Sequence, residues 1–239
     1  MKELTIYYQT DIDVPPPHSF SVKAELKPFG ANELGIYLEQ IFTERDEIPK
    51  EEIEAEGFSM DDDLIWEGNL SKNWLQELNK MVIATTDFPE ENESRIKISA
   101  TSGEIPKSPA NPEVWISFTE QLVQACLEES GKEQPMELVL GRLEKNNFFE
   151  QARVIWSFAN RTVEAELLSN EKIGFSEEDW LSSQNEVKIW VEREATHQDL
   201  YQLPKSKGWF WLLNGEIWIP YQKNLNGKVW NWISERVKL

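Results

Sequence analysis

The sequence predicts an α+β protein, mainly antiparallel sheet with two principal amphipathic helices packed on one face, followed by a C-terminal hairpin and helix. Two observations support this fold class. Apolar residues recur at spacings of three and four at about 71–82 and at 112–130, which indicates helices with one apolar stripe. Most other apolar segments alternate with polar residues, as strands do when one face of a sheet contacts water.

The N-terminal segments predict neighbouring antiparallel strands. Apolar and polar residues alternate over residues 4–8, 20–26 and 34–38, and a turn with Gly30 joins the last two segments. The prolines at 15–17 interrupt the first ladder because they lack the N–H that a strand needs. This part of the chain therefore predicts a hairpin beside a first strand.

The first principal helix is predicted to begin after Ser71, whose hydroxyl can cap the free N–H groups of a helix start. Its apolar stripe follows the helical spacing and consists of Trp74, Leu75, Leu78 and Met81. The polar residues 87–94, which include Pro89, follow this helix and are a candidate domain boundary.

The second principal helix has a clear start and stop. Asn111 can cap its N-terminus, Pro112 suits the first helical position, and Gly131 offers a left-handed end. Its apolar stripe consists of Trp115, Phe118, Leu122 and Cys126. Val114 and Leu127 widen this stripe at its margins. We expect the alternating segments within 136–167 to form the antiparallel sheet that covers this stripe.

The C-terminal part of the chain is rich in tryptophan. Residues 209–212 and 217–219 flank Asn214-Gly215, a dipeptide that is typical of a tight hairpin. Residues 229–237 then carry apolar side chains that can share one face of a final helix.

Three regions follow from these elements. Residues 1–92 form a β-rich half with an acidic loop and a helix, 93–200 form a helix on an antiparallel sheet, and 201–239 form a basic, tryptophan-rich hairpin and helix. Because the halves show no convincing internal repeat, a single domain with one continuous sheet is an equal alternative.

Composition and charge restrict the function classes. The chain has 239 residues, 40% of them hydrophobic, with 11 Trp and 11 Phe, which excludes a disordered chain. It lacks an apolar segment long enough for a membrane span or a signal peptide, so we expect a cytoplasmic protein. The net charge of −19 opposes binding to nucleic acid or to an anionic membrane, because their phosphates attract cations.

An acidic stretch is the most distinctive charge feature. Residues 51–70 contain eight acidic and no basic residues, and such density predicts a solvated loop or short helix on the surface. Our first hypothesis is a non-catalytic interaction protein whose acidic surface meets a basic partner protein. The residues assigned to that surface are carboxylates and aromatic anchors: Glu51, Glu52, Glu54, Glu56, Phe58, Asp61, Asp62, Asp63 and Trp66.

An enzyme is the alternative hypothesis, either a carboxylate-dependent hydrolase or a divalent-ion-binding enzyme. It would need acidic side chains to converge in a pocket, and the aspartates at 61–63 or at 11 and 13 are the densest clusters. We assign no catalytic residue, metal site or cofactor, because the chain lacks a Gly-x-Ser-x-Gly elbow and a phosphate-binding loop. The single cysteine, Cys126, excludes a cysteine-based zinc cluster and is expected to be a buried small hydrophobe.

A third hypothesis is the binding of a carbohydrate or another small ligand through aromatic stacking. Its candidate residues are three tryptophans of the predicted hairpin: Trp209, Trp211 and Trp218. The competing interpretation is that the hairpin packs as part of the core, since large aromatic residues that alternate along strands are usually buried.

Overall fold

The computed structural model describes residues 3–85, 88, 94–100, 105–144, 147–167, 172–174, 180, 208–213 and 217–220. Contacts divide the chain into two compact units, Met1–Glu133 and Gln134–Leu239. Both units contain antiparallel sheet and the first contains the two principal helices, which confirms the predicted α+β class. The predicted turn at Asn214-Gly215 and the predicted helix at 229–237 lie outside the described residues.

Five antiparallel strands form the sheet of the first unit: β1 (Leu4–Gln9), β2 (Phe20–Phe29), β3 (Glu33–Phe42), β4 (Leu64–Leu70) and β5 (Ile96–Ser99). Their order across the sheet is β4-β3-β2-β1-β5, so β4 and β5 are the edge strands. Gly30 joins β2 to β3 at a φ of +60°, a left-handed conformation that glycine adopts without steric cost. The predicted hairpin beside a first strand is therefore confirmed.

One face of this sheet forms the core of the first unit. Apolar side chains at every second position of β1, β2 and β3 are buried there, as the alternation predicts: Leu4, Ile6, Tyr8, Val22, Ala24, Leu26, Leu34, Ile36 and Leu38. The opposite face carries Tyr7, Lys23 and Glu39, which are half-buried or exposed. Burial of each large apolar side chain contributes roughly 1.5–3 kcal/mol, so this face supplies much of the stability of the unit.

Two helices cover the apolar face of the sheet. They are α2 (Lys72–Ala84) and α3 (Pro112–Glu129), and a short helix, α1 (Lys50–Ala55), precedes them in the chain. Trp74 of α2 meets Phe118 of α3 edge to face with ring centroids 5.3 Å apart, and Trp115 lies 6.2 Å from the same phenyl ring. The helix α3 also contacts β1, β3, β4 and β5.

The expectation that strands within 136–167 cover the stripe of α3 is wrong. The helix belongs to the first unit and packs on the sheet that precedes it in the chain. Consequently the candidate boundary near residue 92 lies inside the first unit. Helical periodicity identifies which side chains are buried, whereas the sheet that buries them depends on the path of the chain between distant elements.

The ends of α3 lie where the sequence predicts them. Gly131 adopts a φ of +73° just beyond the helix. Asn111 occupies the N-cap position, but its side chain makes no capping hydrogen bond and lies 3.4 Å from the hydroxyl of Thr85.

The predicted stripe of α3 is buried along its centre and exposed at one margin. Cys126 is buried as predicted, and burial raises the pKa of its thiol. Val114 is 49% exposed and lies outside the stripe. Among the helices of the described ranges, none combines the length and apolar character that a bilayer span requires.

The second unit contains a six-stranded antiparallel sheet. Its strands are β6 (Met136–Glu144), β7 (Asn147–Ser157), β8 (Thr162–Leu167), β9 (Lys172–Gly174), β10 (Gly208–Leu213) and β11 (Ile217–Pro220), in the order β11-β10-β6-β7-β8-β9. The buried side chains described in the second unit include Leu138, Val154, Trp156, Val163, Ala165 and Trp180. The strands β10 and β11 pair as predicted, and β10 also pairs with β6, so these tryptophan-rich strands are part of the same sheet.

Candidate interaction surface

The candidate site is the connection between β3 and β4, called here the acidic connection (residues 43–63). It contains a 3-10 turn, Arg45–Glu47, then α1, and then a turn that leads into β4. Ile53 of α1 is fully buried, and its carbonyl accepts the backbone N–H of Phe58 at 3.1 Å. The acidic connection therefore includes the short helix that its charge density allowed, and it contributes to the buried core.

Arg45 is the residue around which the acidic connection folds. Its side chain is 5% exposed, and its guanidinium carbon lies 3.5 Å from the ring centre of Phe42 and 4.9 Å from that of Phe58. A cation over an aromatic face is stabilised by roughly 0.5–2 kcal/mol, with the larger values where water is excluded. The charge of Arg45 is thus held between two rings.

Hydrogen bonds offset the burial of this cation. Arg45 Nε donates to the carbonyl of Pro17 at 3.1 Å, and Nη1 donates to Asp62 Oδ2 at 3.0 Å and to the carbonyl of Ser59. The Asp62 carboxylate also accepts the backbone N–H of Ser59 at 2.6 Å and its hydroxyl at 2.7 Å. Because an unpaired buried charge is strongly destabilising, these partners are a requirement of the fold.

Asp62 differs from its acidic neighbours for this reason. Burial opposes its ionisation, but the hydrogen bonds from Ser59 and Arg45 and the charge of Arg45 outweigh that effect, so the pKa of Asp62 lies below its usual value. Its side chain is 33% exposed and turns toward the guanidinium. The sequence assigns Asp62 to the outward surface, whereas the structure places it in the internal ion pair because a buried cation lies beside it.

Five of the carboxylates assigned to the interaction surface face water: Glu51, Glu52, Glu54, Glu56 and Asp61. Two of them contact a basic side chain, since a Glu54 oxygen lies 3.2 Å from Lys50 Nζ and a Glu56 oxygen lies 3.9 Å from His18 Nε2. Ion pairs this exposed contribute little to stability. Asp63 is exposed as well, and its Oδ1 accepts the backbone N–H of Phe42 at 2.8 Å.

The two aromatic residues assigned to the surface are half-buried. Phe58 packs against His18 with ring centroids 5.1 Å apart, in addition to its contact with Arg45. Trp66 lies across Gly68 on the same strand, where a Cβ added to the glycine would come within 2.5 Å of the indole. Both rings therefore already make contacts within the unit, and each presents only part of its surface to solvent.

A concave region of about 1080 Å³ adjoins the acidic connection and takes its lining from β1, β2, β3 and the start of α3. Its lining carries both signs of charge, and Arg95 Nη1 lies 3.4 Å from Asp11 Oδ2. The carboxylates that line it are exposed or half-buried: Asp11, Glu39, Glu44 and Glu113. The enzyme hypothesis requires at least two buried carboxylates in a pocket, and none of the carboxylates that line this region is buried. In the ranges that the structure describes, no three His, Cys, Asp or Glu side chains converge as metal ligands would.

The three tryptophans of the ligand-binding hypothesis lie on β10 and β11. Trp209 and Trp211 are two positions apart on β10, and Trp218 of β11 pairs with Leu212. Trp218 is therefore aligned with Leu212 and not with Trp209 or Trp211. The three tryptophans consequently do not form one row across the two strands. Ligand binding by these residues stays a prediction.

Arg45 is a residue of the candidate site that the sequence patterns did not assign. A signal for it exists, because this arginine precedes the acidic stretch and stands between Phe42 and Phe58 in the chain. A cation with aromatic residues on both sides and an aspartate further along is compatible with an internal ion pair. Comparison with protein-family models, with curated proteins and with solved structures found no match for this chain.

Proposed function

We propose that this chain is a non-catalytic interaction protein whose acidic connection binds a basic surface of another protein. The observation that carries the proposal is the exposure of five carboxylates on a connection that is anchored by Arg45 and Ile53. Those carboxylates belong to Glu51, Glu52, Glu54, Glu56 and Asp61. The expected location is the cytoplasm, and the net charge of −19 favours a basic protein over nucleic acid or a membrane.

The anchoring of the connection supports binding in a specific way. A surface whose side chains already stand on a short helix and a fixed turn loses less conformational entropy on binding than a flexible acidic tail would. The negative field of the carboxylates would also steer a basic partner during diffusion. Salt screens such a field, so association should slow as the ionic strength rises.

A charge-neutralised variant tests this proposal. Glu51→Gln, Glu52→Gln and Asp61→Asn together remove three exposed charges and leave the ion pair of Arg45 intact. The matched control neutralises three exposed glutamates elsewhere in the first unit, Glu3, Glu33 and Glu113. Both variants and the natural chain are used as baits in an extract of the source cells.

Partners that the natural chain and the control variant retain, but that the acidic-connection variant loses, support the proposal. Their capture should also decrease as salt is added, because exposed charges are screened over a distance of about 8–10 Å at physiological ionic strength. If the recovered partners are the same for all three baits, the acidic connection is not the binding surface.

A further inference from the structure

The two edges of the first sheet are built differently. The strand β5 has four residues, carries Lys97, and is bridged on its outer side by Lys107, which exchanges backbone hydrogen bonds of 2.8 and 2.9 Å with Ile98. The strand β4 has seven residues, pairs with β3 without a register shift, and contains neither proline nor lysine. Short length, charged side chains (lysine above all), proline and coverage are the usual features that prevent a further strand from adding to an edge. Three of these features protect β5, whereas among the described residues β4 has only the charge of Glu67 and the Lys132 Nζ that donates to the Asp63 carbonyl, one residue before the strand, at 3.1 Å.

Two hydrogen bonds at the end of β3 show which residues of β4 direct their backbone N–H and C=O groups to the outer side of the sheet. Phe42 donates its N–H toward β4, to Asp63 Oδ1 at 2.8 Å, and Thr43 donates toward β2, to the carbonyl of Ser19 at 2.9 Å. In an antiparallel strand the N–H and C=O of one residue point to the same side, and the side alternates along the strand. Every second residue back from Phe42 therefore faces β4.

These residues of β3 pair with Leu64, Trp66, Gly68 and Leu70, whose backbone groups are consequently bonded inside the sheet. The intervening residues Ile65, Glu67 and Asn69 direct their N–H and C=O groups away from β3. Within the described part of the chain, no backbone segment pairs with these three residues. They form a row of donors and acceptors spaced for an added strand.

The side chains beside this edge indicate the chemistry of such a strand. On the face opposite the helices, Ile65 is 66% exposed and Glu67 is exposed, and Glu39 pairs with Ile65 from β3. On the helix face, Trp66 lies half-buried across Gly68. A segment that alternates basic and apolar residues would set a cation beside Glu67 and an apolar side chain beside Trp66.

We propose that β4 is a strand-addition site, to which an extended basic segment of the partner protein adds as a sixth strand. This inference rests on the proposed function, because the acidic connection leads directly into β4 and supplies the charge that favours a basic segment. A second copy of this chain fits the edge less well. Antiparallel self-pairing centred on Glu67 would set two glutamates opposite each other, and like charges in that position destabilise a sheet.

The experiment uses the full chain and a blocked peptide, as long as β4, of alternating lysine and valine. Amide hydrogen exchange is followed residue by residue with and without the peptide. The amides of Ile65, Glu67 and Asn69 should become protected by at least about tenfold at saturation, since they gain hydrogen bonds. The amides of Trp66 and Gly68 already bond to β3 and should change less. A peptide of alternating glutamate and valine should have no effect.

Glu67→Pro tests the edge itself, because it removes an outward N–H that plays no part in pairing with β3. It should weaken binding of the lysine-valine peptide by at least about fivefold, whereas Glu67→Gln keeps the N–H and should weaken binding less. If Glu67→Pro does not fold, Asn69→Pro removes the neighbouring outward N–H instead. Absence of peptide binding, binding without protection of the three amides, or dimerisation of the chain through β4 would each overturn the proposal.

The acidic-connection variant separates the two proposals. Suppose that neutralising Glu51, Glu52 and Asp61 abolishes peptide binding, whereas Glu67→Pro binds the peptide normally and the β4 amides gain no protection. The acidic connection is then the binding surface, and the strand-addition proposal is wrong. If peptide binding and amide protection survive that neutralisation but are lost in Glu67→Pro, the edge of β4 is the binding site. The proposal that the acidic connection binds the partner is then wrong.

Discussion

Tyr8 on β1 donates a hydrogen bond to Glu120 on α3, with 3.2 Å between the phenolic oxygen and the carboxylate, across 112 positions of the chain. Tyr8 is 5% exposed, whereas Glu120 lies at the exposed margin of its helix. The bond therefore joins the first strand of the unit to its last helix. It is the most direct polar evidence in the described residues that α3 belongs with the sheet that precedes it.

This pair predicts a specific alkaline behaviour. Burial, and after it the negative charge of Glu120, raises the pKa of Tyr8 to about 12. An unfolded tyrosine has a pKa of about 10. The neutral hydroxyl therefore stabilises the folded state fully below that unfolded value, and this contribution is lost as the pH rises through the folded value. Urea unfolding at increasing pH should show a steeper loss of stability in the natural chain than in Tyr8→Phe.

Glu120→Gln separates the two causes of that shift. It removes the negative charge but leaves Tyr8 buried, so the alkaline loss of stability should be intermediate between those of the natural chain and Tyr8→Phe. An alkaline profile of Tyr8→Phe that matches the natural chain would contradict the assignment.

Phe118→Asp should leave little folded protein. Phe118 is 3% exposed and its ring contacts Trp74 and Trp115, so the substitution removes a large apolar side chain and buries a charge, at a cost of more than about 4 kcal/mol. Val114→Asp on the same helix is the matched control, because Val114 is 49% exposed. Near the helix N-terminus a negative charge is favourable, so the control should melt within a few degrees of the natural chain. Equal melting temperatures for Phe118→Asp and the control would show that this face of α3 is not in the core.

Asp62→Asn should destabilise the first unit by about 1–2 kcal/mol at neutral pH, a value reduced because Asp62 is partly exposed. The pKa of Asp62 is lowered in the folded state, so its contribution is present above the unfolded pKa of about 3.9 and is lost as the pH falls through the folded value. The stability difference between variant and natural chain should therefore shrink in acid. Urea midpoints measured against pH test this.

Asp61→Asn is the control for that experiment, since Asp61 is an exposed neighbour in the same turn. It should change the free energy of unfolding by less than about 0.5 kcal/mol at any pH. A stability of Asp62→Asn equal to that of the natural chain at neutral pH would mean that Arg45 does not need this partner.

Gly68→Ala should cost about 1 kcal/mol, because a Cβ at that position comes within 2.5 Å of the Trp66 ring and displaces it. In a Trp66→Ala background the same change should cost nothing or should stabilise, since glycine is a poor strand residue. The double-mutant cycle, measured by urea unfolding, gives the coupling between the two positions. Equal effects of Gly68→Ala in both backgrounds would place the indole elsewhere.

Much of the candidate site was accessible from the sequence. The exposure of Glu51, Glu52 and Glu54 follows from charge density alone, because burying several unpaired carboxylates is too costly. The inward position of Asp62 was not accessible, since it depends on Arg45, which lies 17 positions earlier and is enclosed by two aromatic rings. The position of β4 at the edge of the sheet was equally hidden, because pairing order is a property of the whole sheet.

The sequence by itself determined the local structure of the first unit: the alternating strands, the apolar stripes of α2 and α3, and the stop at Gly131. These features repeat over a few residues, and the backbone geometry of a strand or a helix converts such a repeat directly into one buried face. Only the tertiary structure decided which sheet receives α3, which carboxylate pairs with Arg45, and which strands lie at the edges of the first sheet. Those outcomes depend on contacts between residues far apart in the chain, where many arrangements satisfy the same local pattern and packing selects one of them.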